Sequence, residues 1–227
     1  MTLARTGGLA FEVDDALRGA MMLGWLEADG IRQEPLAEAF ALERDAVCAR
    51  LRARYGDRPP VDVPGVAECR SMFHRLGVDP TKTRPSSEAL LRRVLQGKGL
   101  PTIHPVVDVC NLASLEHQFS IGLYDRDLVR NSVFARIGRS GEGYDGIRKG
   151  HVNLSDRPLL ADDDGPFGAP TSDSARTQVT AGTTAVLVVV FSPADSRSDE
   201  LSAMLERLAD LLARFCGATV RTVHARQ

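Results

Sequence analysis

Seven consecutive apolar residues, AVLVVVF, run from Ala185 to Phe191, bounded by threonine and proline. No polar position breaks the run and most of it is β-branched, so it predicts a central strand. From Glu200 to Phe215 the period changes. Leu201, Met204, Leu205, Leu208, Leu211, Leu212 and Phe215 recur about one helical turn apart, which predicts a helix with one wide apolar face. Ser198 or Asp199 is its expected cap and Gly217 its stop. Leu36, Ala39, Phe40, Val47 and Leu51 predict an earlier helix over 35–54, with Glu and Arg on its other face. The stretch YGDRPPVDVPGV (55–66) breaks it, and a short basic segment follows. SEALL, beginning at Ser87, opens a further helix through Leu95, with Ser86 or Ser87 as N-cap and Gly97 as stop. Ala20–Leu26 is apolar and reads as a strand or the start of a helix. Val106, Val107 and Val109 predict a buried strand. The glycine-rich RSGEGYDGIRKGHVN predicts short strands and tight turns. The sum is an α+β single domain (1–227) with helices at both ends of a β-rich middle.

Composition narrows the function classes. The 227 residues are 43% hydrophobic and 26% charged, enough to build a core without disulfides or a structural metal. A formal net charge of −2 argues against wholesale coating of a nucleic acid, DNA included, and leaves room for a local basic patch. Cys48, Cys69, Cys110 and Cys216 form no C-x-x-C pair, and no signal-peptide pattern opens the sequence, so a reduced, cytoplasmic chain is expected. The histidines stand apart from one another and from the cysteines, against zinc. No apolar run is long enough to cross a bilayer, and no membrane association is expected.

The candidate chemistry is dispersed. Asp162-Asp163-Asp164 leads into a Gly/Pro/Ser/Thr loop, GPFGAPTSDS. It reads as a divalent-cation site, as a solvated turn, or as the entry to a pocket floor of backbone N–H groups. No G-x-S-x-G elbow and no phosphate-binding glycine loop is present, and no metal or cofactor is expected. Cys110 is a possible nucleophile, though a free cysteine is more often an inert small hydrophobe. His104, His117 and His151 read as structural or surface residues in preference to catalytic ones. Arg70, Arg75, Lys82 and Arg84 form either a solvated face or a phosphate-contacting patch.

Several spaced motifs over residues 68–192 carry a resemblance. Val106-Val107-Asp108-Val109-Cys110-Asn111, followed by Leu115-Glu116, resembles the V-V-D-x-T-N…L-E motif of the editing domain of the phenylalanyl-tRNA synthetase beta chain, the B-three/B-four domain. GEGYDGIRKGHVNLSDRPLLADD resembles that domain's second half, and GPFGAPTSDS its glycine-rich loop. The resemblance implies a β-sandwich-like core with flanking helices; outside it, residues 1–67 are expected as a helical and strand extension and 198–216 as a C-terminal packing helix. It also implies a pocket that takes the 3′ end of a mischarged tRNA and hydrolyses its aminoacyl ester.

Carried over by position, Asn111 and Asp173 are expected in catalytic roles, and Thr171 joins them through the backbone N–H groups and hydroxyl of its loop. Cys110, which stands where the synthetase has threonine, joins Glu116, Gly165, Gly168 and Ser172 as substrate-binding. Arg70, Arg84, Arg148, Lys149 and Arg176 are the tRNA-binding set. Asp173 replaces the glutamate that reads a phenol hydroxyl, and Gly122 falls where the synthetase has a pocket histidine. The expected partner is therefore the aminoacylated acceptor end of a tRNA, with the amino acid left open. Three activities are compatible: a free-standing trans-editing deacylase, a tRNA or small-molecule binding module, and an aminoacyl-tRNA-dependent transferase. Nothing in the sequence indicates an oligomeric state.

Overall fold

The computed structural model describes residues 8–194 and 198–226. Along the chain run β1 (Phe11–Val13), β2 (Met21–Asp29), α1 (Glu38–Tyr55), α2 (Pro64–Arg75), α3 (Ser86–Leu95) and α4 (Pro105–His117). Then come β3 (Ser120–Asp125), β4 (Val133–Ile137), the hairpin of β5 (Gly143–Asp145) and β6 (His151–Asn153), and β7 (Pro158–Asp162). The order continues through β8 (Gly165–Ala169), β9 (Ser172–Asp173), β10 (Ala185–Pro193), α5 (Ser198–Cys216) and β11 (Thr219–Arg226). Two main sheets form. One is antiparallel, in the order β11-β2-β10-β3; the other is β1-β4-β7-β8-β9, with β1 parallel to β4.

The fold is the α+β, sandwich-like single domain that the pattern and the resemblance imply. Val186, Val188 and Val190 of β10 join Leu112 and Leu115 of α4 and Met204 and Leu208 of α5 in one core. Leu187, Val189 and Phe191 join Trp25, Val133, Leu160 and Phe167 in a second core between the sheets. A strand covered on both faces has no solvent side to mark with polar residues, hence the unbroken apolar run. Each buried side chain of this size contributes roughly 1.5–3 kcal/mol. A Cβ on Gly24 of β2 would lie 2.8 Å from Leu201 Cδ1, so glycine there lets α5 sit close on the sheet.

Several local expectations are corrected. Val106–Val109 is helix, the first turns of α4. Pro105 occupies N1, where its missing N–H costs nothing, and His104 takes the extended N-cap conformation. The N–H groups of Ile103 and His104 donate to Asp108 Oδ1 at 2.9 and 3.4 Å, and Gln118 closes the helix at φ 62°. Burial of Val106, Val109, Leu112 and Ala113 at helical spacing outweighs β-branched propensity.

Part of the segment read as a break and basic loop is α2, started by Pro64, with Val66, Cys69, Met72 and Phe73 buried. Pro85, not a serine, caps α3, which begins at Ser86. Residues 21–26 belong to a strand, β2, which pairs with both β10 and β11 inside the sheet. Strands, not helices alone, occupy both ends of the described chain. Ser198 and Asp199, the expected caps of α5, are instead its first two residues, and the residue before them lies outside the described ones.

Candidate functional site

One face of α4 lines a pocket of about 410 Å³. His104, Val107, Cys110, Asn111 and Ser114 point into it, spaced so that they share that face. Ile121 and Leu123 of β3 form the opposite wall, Asp173 of β9 lies among them, and Ile147 and Arg148 cross from the β5–β6 turn. Ser86 at the start of α3 also lines it. The cavity is thus mostly apolar, with two amides (Asn111 and Gln178), two serine hydroxyls, a carboxyl group, an imidazole and a guanidinium placed in it, the usual composition of a small-molecule site.

Asp173 is held by backbone. Its Oδ2 accepts from the Leu123 N–H at 3.4 Å, and its carbonyl accepts from the Ile147 N–H at 3.2 Å, which ties the β5–β6 turn over it. Its Oδ1 is buried with no hydrogen-bond partner. Burial pushes the carboxyl up to about 7, against the opposing pull of Tyr124, the Leu123 N–H and Lys149. A carboxyl group in that state changes charge near neutrality, so it both accepts and donates in the working range.

Tyr124 is fully buried beside it, edge-on to Phe167 with ring centroids 4.9 Å apart. Burial, and then Asp173 itself, hold the Tyr124 phenol well above its ordinary value. Nearby, the Tyr144 hydroxyl donates to the Ser172 carbonyl and fixes the β8–β9 turn. Cys110 lines the pocket as a thiol: burial, then Cys216 and Asp173, push it far up, so it is no nucleophile at neutral pH. Burial pulls the His104 imidazole down towards its neutral form, and both of its ring nitrogens are buried without partners.

Of the residues expected from sequence, the structure brings Cys110, Asn111, Asp173 and Arg148 to this pocket, with Lys149 within electrostatic reach of Asp173. Gly168 pairs with Asp173 across β8–β9 and lies against Tyr124. Thr171 in the adjoining turn and Ser172 at the start of β9 do not line the cavity.

The others sit elsewhere. Glu116 pairs with Arg50 at 2.5 Å and Arg207 at 3.0 Å. Arg70 and Arg84 share the buried Glu88. Gly165, at φ 110°, makes the β7–β8 turn. Arg176 grips Asp162 through two nitrogens, at 2.8 and 3.1 Å. Asp162 also accepts from the N–H groups of Arg130 and Asp164, so the acidic triplet is anchored through a buried, fully bonded carboxylate. Among the described residues no cluster of three or more His, Cys, Asp or Glu is arranged to hold a metal ion, and no helix is long and apolar enough to cross a membrane.

Sequence reasoning passed over Ser86, Val107, Ser114, Tyr124 and Ile147, and set His104 aside. A usable signal existed for three of them. Pro105 marks a helix start, and a helix from there puts His104, Val107, Asn111 and Ser114 on one face.

Fold and pocket together define an α+β domain of two main sheets with a pocket of about 410 Å³ along one face of α4. The chain belongs to the B3/4 domain family, whose model matches residues 68–217. The phenylalanine–tRNA ligase beta subunit of Neisseria meningitidis serogroup B (strain MC58) is 25% identical over 107 residues, covering 47% of this chain and 14% of that protein. The serogroup A counterpart (strain Z2491) is 23% identical over 139 residues, 61% of this chain and 18% of that protein. The chain therefore spans less than a fifth of these relatives. An N-terminal fragment of the phenylalanyl-tRNA synthetase beta subunit from Pyrococcus horikoshii superposes with a TM-score of 0.52 at 14% identity, over 97% of this chain and 55% of that one. That likeness is one of fold.

Proposed function

We propose that this protein is a trans-acting aminoacyl-tRNA deacylase that hydrolyses the ester of a misacylated tRNA in the cytoplasm. The observation that carries the reading is the buried, unpartnered Asp173 Oδ1 in an otherwise apolar pocket that also holds Asn111. An acceptor kept dry and unpaired binds a matching donor strongly and rejects an analogue that lacks it. The α-ammonium or a side-chain hydroxyl of an amino acid supplies such a donor. Family membership supports the substrate class, since the relatives named above are tRNA ligase subunits.

An aminoacyl ester is intrinsically labile, so the site needs no covalent nucleophile, in keeping with the protonated, buried Cys110. Asn111 makes no side-chain hydrogen bond to the described residues and lines the cavity, free to orient water or the ester carbonyl. Arg148 and Lys149, at the turn over the pocket, meet the acceptor-end phosphates.

Deacylation of a panel of correctly and incorrectly charged tRNAs tests this. Selective release of one amino acid is the expected result. Binding without release from any tRNA overturns hydrolysis in favour of a binding module. Transfer of the amino acid to an acceptor other than water identifies a transferase.

A further inference from the structure

A second cavity, of about 240 Å³, adjoins the first. The two share Ile103 and His104, so that short stretch is the wall between them. Its other sides are apolar: Pro35, Leu36, Phe40 and Ala41, from α1 and the segment before it. Its polar groups are Arg44, Thr102, Asp108 and His104. This α1 wall lies outside the stretch matched by the family model, which begins at residue 68.

These groups suit a nucleotide. Arg44 pairs with Asp45 through Nε at 2.9 Å, and its two terminal nitrogens hold no bond among the described residues. That leaves a fork for a phosphate. Asp108 spends Oδ1 on the N–H groups of Ile103 and His104, and its Oδ2 bonds to none of the described residues, the arrangement that accepts from a ribose hydroxyl. The ring nitrogens of His104, buried and unpartnered on the dividing wall, are placed between whatever occupies the two cavities. Ile103 is 57% exposed on the same wall, an apolar surface open to a planar base.

We propose that the second cavity receives the terminal ribonucleotide to which the aminoacyl group is esterified. The base lies on the apolar α1 wall, the ribose sits beside Asp108 and His104, and the 5′-phosphate meets Arg44. The amino acid then enters the larger cavity past His104. This rests on the deacylase reading for the identity of the ligand, since every tRNA ends in adenosine. The N-terminal segment thereby contributes to binding, and its role is no longer only to complete the sheet.

The test is titration of the full chain with adenosine 5′-monophosphate, followed by NMR, and with adenosine alone. The expected result is saturable binding that shifts the amides of residues 36–44 and 102–108. Ala41→Trp, which fills the cavity from a half-buried helix position, should weaken it about tenfold or more. Arg44→Ala should weaken the monophosphate more than the nucleoside, and it guards against a folding defect in the tryptophan variant, which a thermal melt also checks. No binding at millimolar monophosphate, or shifts confined to another surface, overturns the inference. Deacylation with KM unchanged in both variants also overturns it while leaving the hydrolase reading intact. Nucleotide binding that Ala41→Trp abolishes, in a protein that deacylates no tRNA, upholds the cavity and removes the deacylase reading instead.

Discussion

The Tyr124 hydroxyl lies beside the Asp173 carboxyl group, in a slot bounded by two glycines. A Cβ on Gly122 would lie 2.0 Å from the Tyr124 oxygen, and one on Gly168 would lie 2.1 Å from it. Both groups have a buried oxygen with no hydrogen-bond partner, and each perturbs the other's ionisation. The space that a side chain at Gly122 would take belongs to Tyr124, two residues along the same strand.

The slot makes Gly122→Ala a test of packing. It should destabilise the fold by about 1–3 kcal/mol through overpacking. Adding Tyr124→Phe should recover part of that loss, because the shortest contact is to the phenolic oxygen. Urea denaturation of the single and double variants measures both. Full additivity would mean the slot relaxes without regard to Tyr124.

Asp173 sets a pH dependence. Its carboxyl group is raised to about 7 from an ordinary 3.8, so the folded protein holds a proton that the unfolded chain has released across that window. Its contribution therefore turns against the fold as pH rises from about 4 to 7. Asp173→Asn should melt higher than the parent at pH 8, with the gap closing towards pH 4. In the deacylation assay the parent's discrimination among amino acids should rise through neutrality as the carboxylate forms, and the asparagine variant should lack that rise.

Asn111 and Cys110 are neighbours on α4 with different chemistry. Asn111→Ala should lower kcat/KM by about a hundredfold, the loss typical of one oriented hydrogen-bond group. Cys110→Ser should cost less, since the thiol is protonated and buried. Equal losses would argue against assigning Asn111 a role at the ester.

Arg176 tests the structural account of the acidic triplet. Arg176→Ala leaves the buried Asp162 without its bidentate partner and should cost about 3 kcal/mol. Asp163→Asn, at a position exposed apart from its bond to Asn131, should be nearly neutral. Thermal melts of the two variants compare them directly.

The sequence by itself determined the elements whose burial is expressed as a local period. The unbroken run of β10 and the apolar stripe of α5 each follow from what covers them, and both are legible without coordinates. The α+β class follows from their sum, and the spaced motifs reached the family. What only the tertiary structure decided was whatever depends on two distant segments meeting. The Val106–Val109 run is compatible with a strand or a buried helix until Leu112 and Ala113 find the core and Pro105 and Asp108 fix the start. The sheet could not be completed from the motif-bearing residues, because β2 lies far upstream of them. The pocket is assembled from α3, α4, β3, the β5–β6 turn and β9, and a carboxyl group becomes unusual only when the surrounding elements close over it. Hence Asp173 could be named from the sequence, whereas its raised pKa, its tyrosine neighbour and the adjoining cavity under α1 could not: burial and proximity across the fold are not written in any local pattern.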